Sequence, residues 1–237
     1  MTRRRVGILG GTFDPIHFGH LDAGTAAQRA LHLDAIFLLP SNLPPHRPQP
    51  VASGYHRFAM VALAIGGRPG WRALDLELRA AALSYTSDTL TSLHADGFNA
   101  TELFFIAGSD AFVEIATWKD YPALLDLAHF AVISRPGAPV AQLPERLPAL
   151  AARMRSPSHS ARPSSSALIF LIDAATTDVS STAIRRACAA HEPIADMVPA
   201  AVQQHLEQHA LYQDPATPSE SGDGLASRPA GRLHGQG

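Results

Sequence analysis

An apolar run, Val6-Gly7-Ile8-Leu9, passes without a break into Gly10-Gly11-Thr12-Phe13-Asp14-Pro15-Ile16-His17-Phe18-Gly19-His20. The run lacks the polar alternation of a half-wet strand and reads as a strand buried on both faces. It hands over to a strand-to-helix turn carrying two glycines, a hydroxyl and two imidazoles, the place where an open α/β sheet binds phosphate. Few folds accommodate such a junction at the start of a chain.

The remainder of the chain repeats the theme. Further buried-strand runs fall at about 35–40, 102–107, 129–134 and 168–172, and helix-like stretches at about 19–31, 54–65, 86–95, 119–127 and 180–190 alternate with them. This alternation predicts a mostly parallel sheet with helices on both faces and right-handed crossovers. Trp71-Arg72-Ala73-Leu74-Asp75-Leu76-Glu77-Leu78 has period-two character and predicts a further, more exposed strand. The Pro-, Arg- and Ser-rich region 136–166 reads as a loop with a short helix near 143–153. No linker divides the chain before residue 213, so one domain over 1–212 is expected. Residues 213–237 contain eleven Gly, Pro or Ser in 25 positions and are expected to be a disordered tail.

Composition removes several classes. With one cysteine, Cys188, the chain has no internal disulfide framework and no cysteine-based zinc site. No run of 18 apolar residues or signal-peptide stretch is present, which predicts a cytoplasmic protein without a membrane partner. A formal charge of -2 gives no global attraction to nucleic acid. Lys119 is the sole lysine, the other basic residues being arginines, a choice that suits bidentate phosphate contacts and reads equally as compositional bias.

In the first turn, Gly10 and Gly11 let the backbone approach a phosphate, and Thr12 adds a hydroxyl donor. His17 and His20 lie three apart at a helix start and share a face, with Gly19 keeping the backbone close between them. As donors they suit polyphosphate oxygens and the charge that develops on a transferring phosphoryl group. A zinc site here lacks partners at suitable spacing. The turn is neither a P-loop nor a dinucleotide fingerprint.

The segment resembles the Gly-Gly-x-Phe-Asp-x-x-His-x-Gly-His signature of the nucleotidyltransferase superfamily. Four more segments, in matching order and spacing, resemble bacterial nicotinate-nucleotide adenylyltransferases: Pro44-Pro45-His46-Arg47, Ser84-Tyr85-Thr86-Ser87-Asp88-Thr89-Leu90, Phe105-Ile106-Ala107-Gly108-Ser109-Asp110 with Thr117-Trp118, and Ser180-Ser181-Thr182-Ala183-Ile184-Arg185. The resemblance covers about residues 5–212 and implies a Rossmann-like open α/β fold. It implies ATP contacts from Gly10, Gly11, Thr12, Phe13, Gly19, Gly108, Asp110, Ser180, Ser181 and Thr182, and catalytic charge neutralisation by His17, His20, Arg47 and Arg185. Nicotinic acid mononucleotide would be held by His46, Tyr85, Thr86 and Trp118, the indole stacking on the pyridine ring. Mg2+ would enter with ATP, held largely by phosphates and water, with no protein residue named as its ligand.

The residues have readings of their own. Pro44-Pro45 stiffens a loop that presents His46 and Arg47, and the 41–50 segment reads as a lid. Thr86 is expected to cap the helix it opens, Asp110 to meet a ribose or cap a helix, and Ser180 to Thr182 to offer a helix N-terminus to an anion. Arg57, on the next helix, is a candidate for a further phosphate contact but is not counted among the site residues, whereas Trp71 reads as packing. Ala116 replaces a proline common in the family, and Arg47 stands where lysine is also common. The reaction implied is in-line attack of the mononucleotide phosphate on the α-phosphorus of ATP, which needs no side-chain base. Nicotinamide mononucleotide or phosphopantetheine as acceptor, and a catalytically silent nucleotide-binding module, are the alternatives. Oligomeric state is not legible.

Overall fold

The computed structural model describes residues 4–45, 49–80, 82–158 and 166–213. In chain order the elements are β1 (Val6–Gly11), α1 (Phe18–Leu31), β2 (Ala35–Pro40), α2 (Gly54–Ala64), β3 (Trp71–Ala73), α3 (Thr86–Ala95), β4 (Leu103–Gly108), α4 (Ser109–Phe112), β5 (His129–Ile133), α5 (Leu143–Arg146), β6 (Met154–Arg155), β7 (Ile169–Ile172), α6 (Ser181–Ala189) and α7 (Ala200–Gln208). The strands form one parallel sheet in the order β3-β2-β1-β4-β5-β7-β6. This is the Rossmann-like arrangement expected from alternating buried strands and helices.

Side-chain alternation sorts each strand into two cores. Ile36 and Leu38 of β2, Phe104 and Ile106 of β4, and Ala131 and Ile133 of β5 join α1, α2, α6 and α7 on one face. Phe37 and Leu39, Phe105 and Ala107, and Phe130 and Val132 point into the other, against α3 and the short turns of the second half. Both faces are therefore dry, which is why the strand sequences carry no polar alternation. Trp71 is buried and fits a notch left by Gly24 of α1, where a Cβ would lie 2.5 Å from the indole Cη2. Its Nε1 donates to Gln28 Oε1 at 2.8 Å, so it is a packing residue, as its sequence context suggests.

Four expectations need correction. The strand at 71–78 stops at Ala73, after which Leu74 N gives its hydrogen bond to Leu38 O and the chain turns. The helix at 119–127 does not form: 3-10 turns at Ile115–Thr117 and Ala123–Asp126 flank Asp120, which has φ 64°, and Pro122. Proline lacks the N–H a continuous helix requires and restricts the residue before it. Of the 136–166 loop, the described part holds α5, a 3-10 segment at Pro148–Arg153 and the edge strand β6; Pro148 divides the short helix expected near 143–153 into two turns. Finally, α7 was not among the expected helices, although Pro199 before it and Val202 and Leu206, four apart on one buried face, are ordinary helix signals.

The register of β1 explains where the sheet opens. β1 stays paired with β2 as far as Gly11↔Pro40 but with β4 only as far as Ile8↔Phe105. Beyond that point β1 and β4 part. Since the chain fills β1, β2 and β3 to one side before returning to β4 and β5 on the other, this is the topological switch point, where open sheets hold ligands.

Candidate active site

A cleft of about 540 Å³ opens at that divergence, floored by Leu9, Gly10, Phe105, Ile106 and Ala107. Its floor is strand backbone because Gly10 has no side chain; a Cβ there would meet the Phe105 ring at 3.6 Å. Gly11, Thr12, Phe13, Gly19 and His20 form one wall with Ser181 at its edge, and Gly108, Asp110 and Arg135 form the opposite wall. Ser84, Thr86, Glu77, Thr117 and Trp118 close one end, and Pro44 and Pro45 border it.

The turn after β1 is held by a buried polar hub. Asp14, 4% exposed, accepts hydrogen bonds from Val51 N (2.8 Å), Ala52 N (3.0 Å) and Tyr212 Oη (2.7 Å). Arg57, 1% exposed, donates to Thr12 O (2.7 Å), Ser41 O (2.6 Å) and Ala52 O (3.2 Å). Burial lowers the Arg57 pKa while Asp14 and Tyr212 oppose that shift, and burial together with the Asp14 contact pushes the Tyr212 phenol well above its ordinary range. Arg57 is thus bound to backbone carbonyls and holds the turn; it is not a free phosphate partner. Phe13, with φ 50°, is buried beneath the turn, leaving Gly11 and Thr12 at the surface of the cleft.

His17 is the N-terminal cap of α1 and is 2% exposed, and its backbone N–H donates to His20 Nδ1 at 3.3 Å. The two rings stack with centroids 3.8 Å apart. Burial first, then the Arg135 charge, lowers the His17 pKa to about 4 against an opposing effect of Asp22, so its imidazole is neutral at pH 7. Its Nδ1 is buried without a hydrogen-bond partner, an orphan polar atom of the sort that functional sites retain. Gly19 is required by close packing: a Cβ would stand 2.9 Å from Thr177 O, in the segment leading to α6.

That segment brings the second helix start to the same wall. Ser180 caps α6, its Oγ accepting from Ala183 N at 3.1 Å, and Ser181 Oγ donates to Pro15 O at 2.9 Å. Arg185 donates from Nη1 to Asp14 O (2.7 Å) and from Nη2 to Thr182 Oγ1 (3.2 Å), with Asp14 Oδ2 at 3.9 Å. The first turns of α1 and α6 and the Arg185 guanidinium therefore converge on the Gly11–His20 turn, a concentration of donors and positive potential suited to anionic oxygens.

At the other end Tyr85, not Thr86, is the N-terminal cap of α3, and Thr86 is its first helical residue. Tyr85 lines a small annex of about 150 Å³ together with Trp118 and Lys119. Trp118 stands edge-on to Phe105, centroids 5.9 Å apart, and is half-buried. Thr89 donates its hydroxyl to Glu77 Oε1 at 2.7 Å, fixing the segment after β3 to α3; burial raises the Glu77 pKa against the hydrogen bonds from Thr89 and Ser84.

Of the residues singled out in sequence, Gly10, Gly11, Thr12, Phe13, Gly19, His20, Thr86, Gly108, Asp110, Trp118 and Ser181 line this one cleft. His17, Ser180, Thr182 and Arg185 do not line it, although they belong to the two helix starts beside it, and Tyr85 lines the annex. His46 and Arg47 lie outside the described residues. Arg135 and Glu77 were missed. Arg135 follows β5 by two residues, at the carboxyl end of a buried strand where ligand contacts are expected, so position alone could have found it. Glu77 had no such signal. For a divalent cation, Asp14 is already committed to three donors, and Asp110 and Glu114 are exposed carboxylates lining the cleft.

An open parallel sheet with two helix N-termini, stacked imidazoles and glycine backbone around its switch-point crevice defines a nucleotidyl-transfer type of site. Comparison with known proteins agrees: residues 8–187 match the cytidylyltransferase-like family. A probable nicotinate-nucleotide adenylyltransferase of Cronobacter sakazakii is 41% identical over 205 residues, covering 86% of this chain and 94% of that protein. Its counterpart in Shewanella frigidimarina is 36% identical over 88% of this chain and its own full length. The chain belongs to the cytidylyltransferase-like family and, within it, to the nicotinate-nucleotide adenylyltransferases. The fold is shared with Plasmodium falciparum nicotinic acid mononucleotide adenylyltransferase, solved in complex with NaAD: TM-score 0.68 at 17% identity, covering 88% of this chain and 97% of that one.

Proposed function

We propose that the enzyme joins ATP and nicotinic acid mononucleotide to give deamido-NAD and pyrophosphate by direct transfer. The observation that carries this reading is the pairing, within one cleft, of a donor-rich corner at Gly11–His20 with an aromatic and hydroxyl-lined end at Thr86 and Trp118. A 5'-phosphate oxygen of the mononucleotide attacks the α-phosphorus of ATP in line; the bond from that phosphorus to the bridging oxygen breaks, and pyrophosphate leaves with the electron pair. The attacking phosphate is anionic at pH 7, so catalysis is positioning and charge neutralisation.

In this reading Gly10, Gly11, Thr12, Phe13 and Gly19 shape the triphosphate site, and His20 faces it directly. His17, neutral and buried, fixes the His20 ring and offers an N–H from the interior. Ser180, Ser181 and Thr182 present the start of α6 to phosphate, with Arg185 anchoring that helix to the turn. Gly108 and Asp110 sit at the opposite wall where a ribose would lie. Trp118 and the Tyr85-Thr86 turn form the ring pocket. The parts given to Arg47, as a cation at the reacting phosphates, and to His46, at the mononucleotide, rest on the family resemblance. Mg2+ carried by ATP would neutralise phosphate charge.

ATP with Mg2+ and either nicotinic acid or nicotinamide mononucleotide, followed by pyrophosphate release, tests the reading. Release with the acid at a kcat/KM at least about tenfold above the amide is expected; equal rates would overturn the acid preference, and no release with either would overturn the activity. A cytoplasmic enzyme whose residues 213–237 are dispensable for the chemistry completes the proposal.

A further inference from the structure

Three imidazoles from two helices meet outside the nucleotide cleft, and none of them lines it. His56 lies in the first turn of α2, His205 in the last turn of α7, and His209 caps α7 one turn later. Their positions are fixed by the packing of α2 on α7, in which Met60 and Val61 share a core with Val202 and Leu206. His205 and His209, four apart, share a face of α7. His56 Nδ1 is 3.1 Å from His205 Nε2, and one nitrogen of each of the three rings lies within 4.8 Å of the others.

We propose that His56, His205 and His209 bind one divalent transition-metal ion of the zinc kind, clamping the end of α7 to the start of α2. A tetrahedral ion with Zn–N bonds of about 2.0–2.1 Å holds its nitrogens roughly 3.4 Å apart. One pair is already slightly closer than this and the widest separation exceeds it by on the order of 1 Å, which a small rotation of the exposed His209 ring supplies. A plain hydrogen bond accounts for the His56–His205 pair but not for the third ring, which stands 4.8 Å from His56 and 4.5 Å from His205 between centroids.

The donor chemistry chooses the ion. Three imidazoles with neither carboxylate nor thiolate suit a borderline metal and not Mg2+ or Ca2+, and a fourth position remains for water. The last turn of α7 favours a cation, whereas the first turn of α2 opposes one, so the helix ends nearly cancel and the ligands decide. The clamp has a reach beyond itself, because Tyr212, three residues past His209, donates to Asp14 beneath the catalytic turn.

The test is calorimetric titration of Zn2+ into the tag-free, chelator-treated full chain, repeated with His205→Ala, His209→Ala and His20→Ala. One equivalent tighter than about 10 µM is expected. Each α7 substitution should weaken it at least 10–100-fold, the loss typical of even an outer contact, while His20→Ala leaves it unchanged. Zn2+ at about a hundredfold excess over the wild-type Kd should raise Tm by roughly 5–10 °C in the wild type and by about half of that or less in His209→Ala. Absence of one-equivalent binding, survival of that binding in the α7 variants, or its loss in His20→Ala would each overturn the site.

Discussion

The two ends of the cleft are built on opposite plans. At the corner proposed for phosphate, backbone carbonyls and amides from residues far apart in sequence are tied by two buried side chains, Asp14 to 51, 52 and 212 and Arg57 to 12, 41 and 52, and by the partly exposed Arg185 back to 14. At the ring end, Trp118 and Tyr85 sit on a 3-10 turn and a helix cap, joined by the exposed pair Lys119–Asp88 at 2.7 Å. Transferring charge requires donors already fixed where charge develops, since reorienting them during the reaction would cost most of their benefit. A flat ring gains from stacking and area, which tolerates adjustment. On the proposed reading, rigidity is concentrated where the chemistry demands it.

The sharpest way to break this contrast is to remove the hub. Asp14→Ala leaves the Val51 and Ala52 amides and the Tyr212 hydroxyl without their acceptor, a loss of about 3–5 kcal/mol of stability for three donors together. Tm should fall by roughly 6–20 °C, with activity lost at ordinary assay temperature. By contrast His20→Ala should lower kcat about 100–1,000-fold, as removal of one transition-state donor does, with Tm within about 2 °C of wild type. Steady-state kinetics beside thermal unfolding separates the two, and equal Tm losses would erase the distinction between frame and chemistry.

His17 provides the pH arm. Its folded pKa of about 4 lies below the 6.5 of an unfolded histidine, so between these values the unfolded chain binds more protons. Stability from this group is full above about pH 6.5 and is lost as pH falls towards 4, by about 3 kcal/mol in all. Thermal unfolding between pH 7 and 4.5 should show a steeper fall for wild type than for His17→Gln, in which that titration is gone. Parallel curves would mean His17 does not titrate in the folded protein as its burial requires.

The corner and the ring end also differ in how much of each was legible. Gly10 to His20 could be read because an apolar strand, two glycines and paired histidines are local signals. The hub could not, since Asp14 meets Tyr212 across 198 residues and neither residue type announces such a partner. At the ring end, Trp118 was readable only through family resemblance. The helix expected just after it failed because Pro122 outweighs the helix propensity of its neighbours. The cap of α3 was misplaced by one residue because Thr86 is the better capping type, while the backbone leaves the helix at Tyr85, whose side chain makes no capping bond. The parallel sheet was predictable throughout, because strands dry on both faces write their burial directly into sequence.

Smaller effects belong to the ring end. Trp118→Ala should raise KM for the mononucleotide about 5–100-fold, the stacking worth of one base-like ring on an aromatic, with KM for ATP within about twofold. An equal loss for both substrates would place the indole under adenine and reverse the two ends of the cleft. Smallest of all is Lys119→Met. The ammonium lies 4.8 Å from the centre of the Tyr85 ring while paired to Asp88, yet both charged groups are exposed, at 39% and 54%. Screened pairs of this sort add little to stability. Tm should be unchanged, and any rise in mononucleotide KM should stay within about twofold at low salt and vanish near 0.5 M, beyond the Debye screening of such a pair. A large, salt-independent loss would mean that the ring end is as firmly built as the phosphate corner, and that its exposed contacts are held by substrate-independent order.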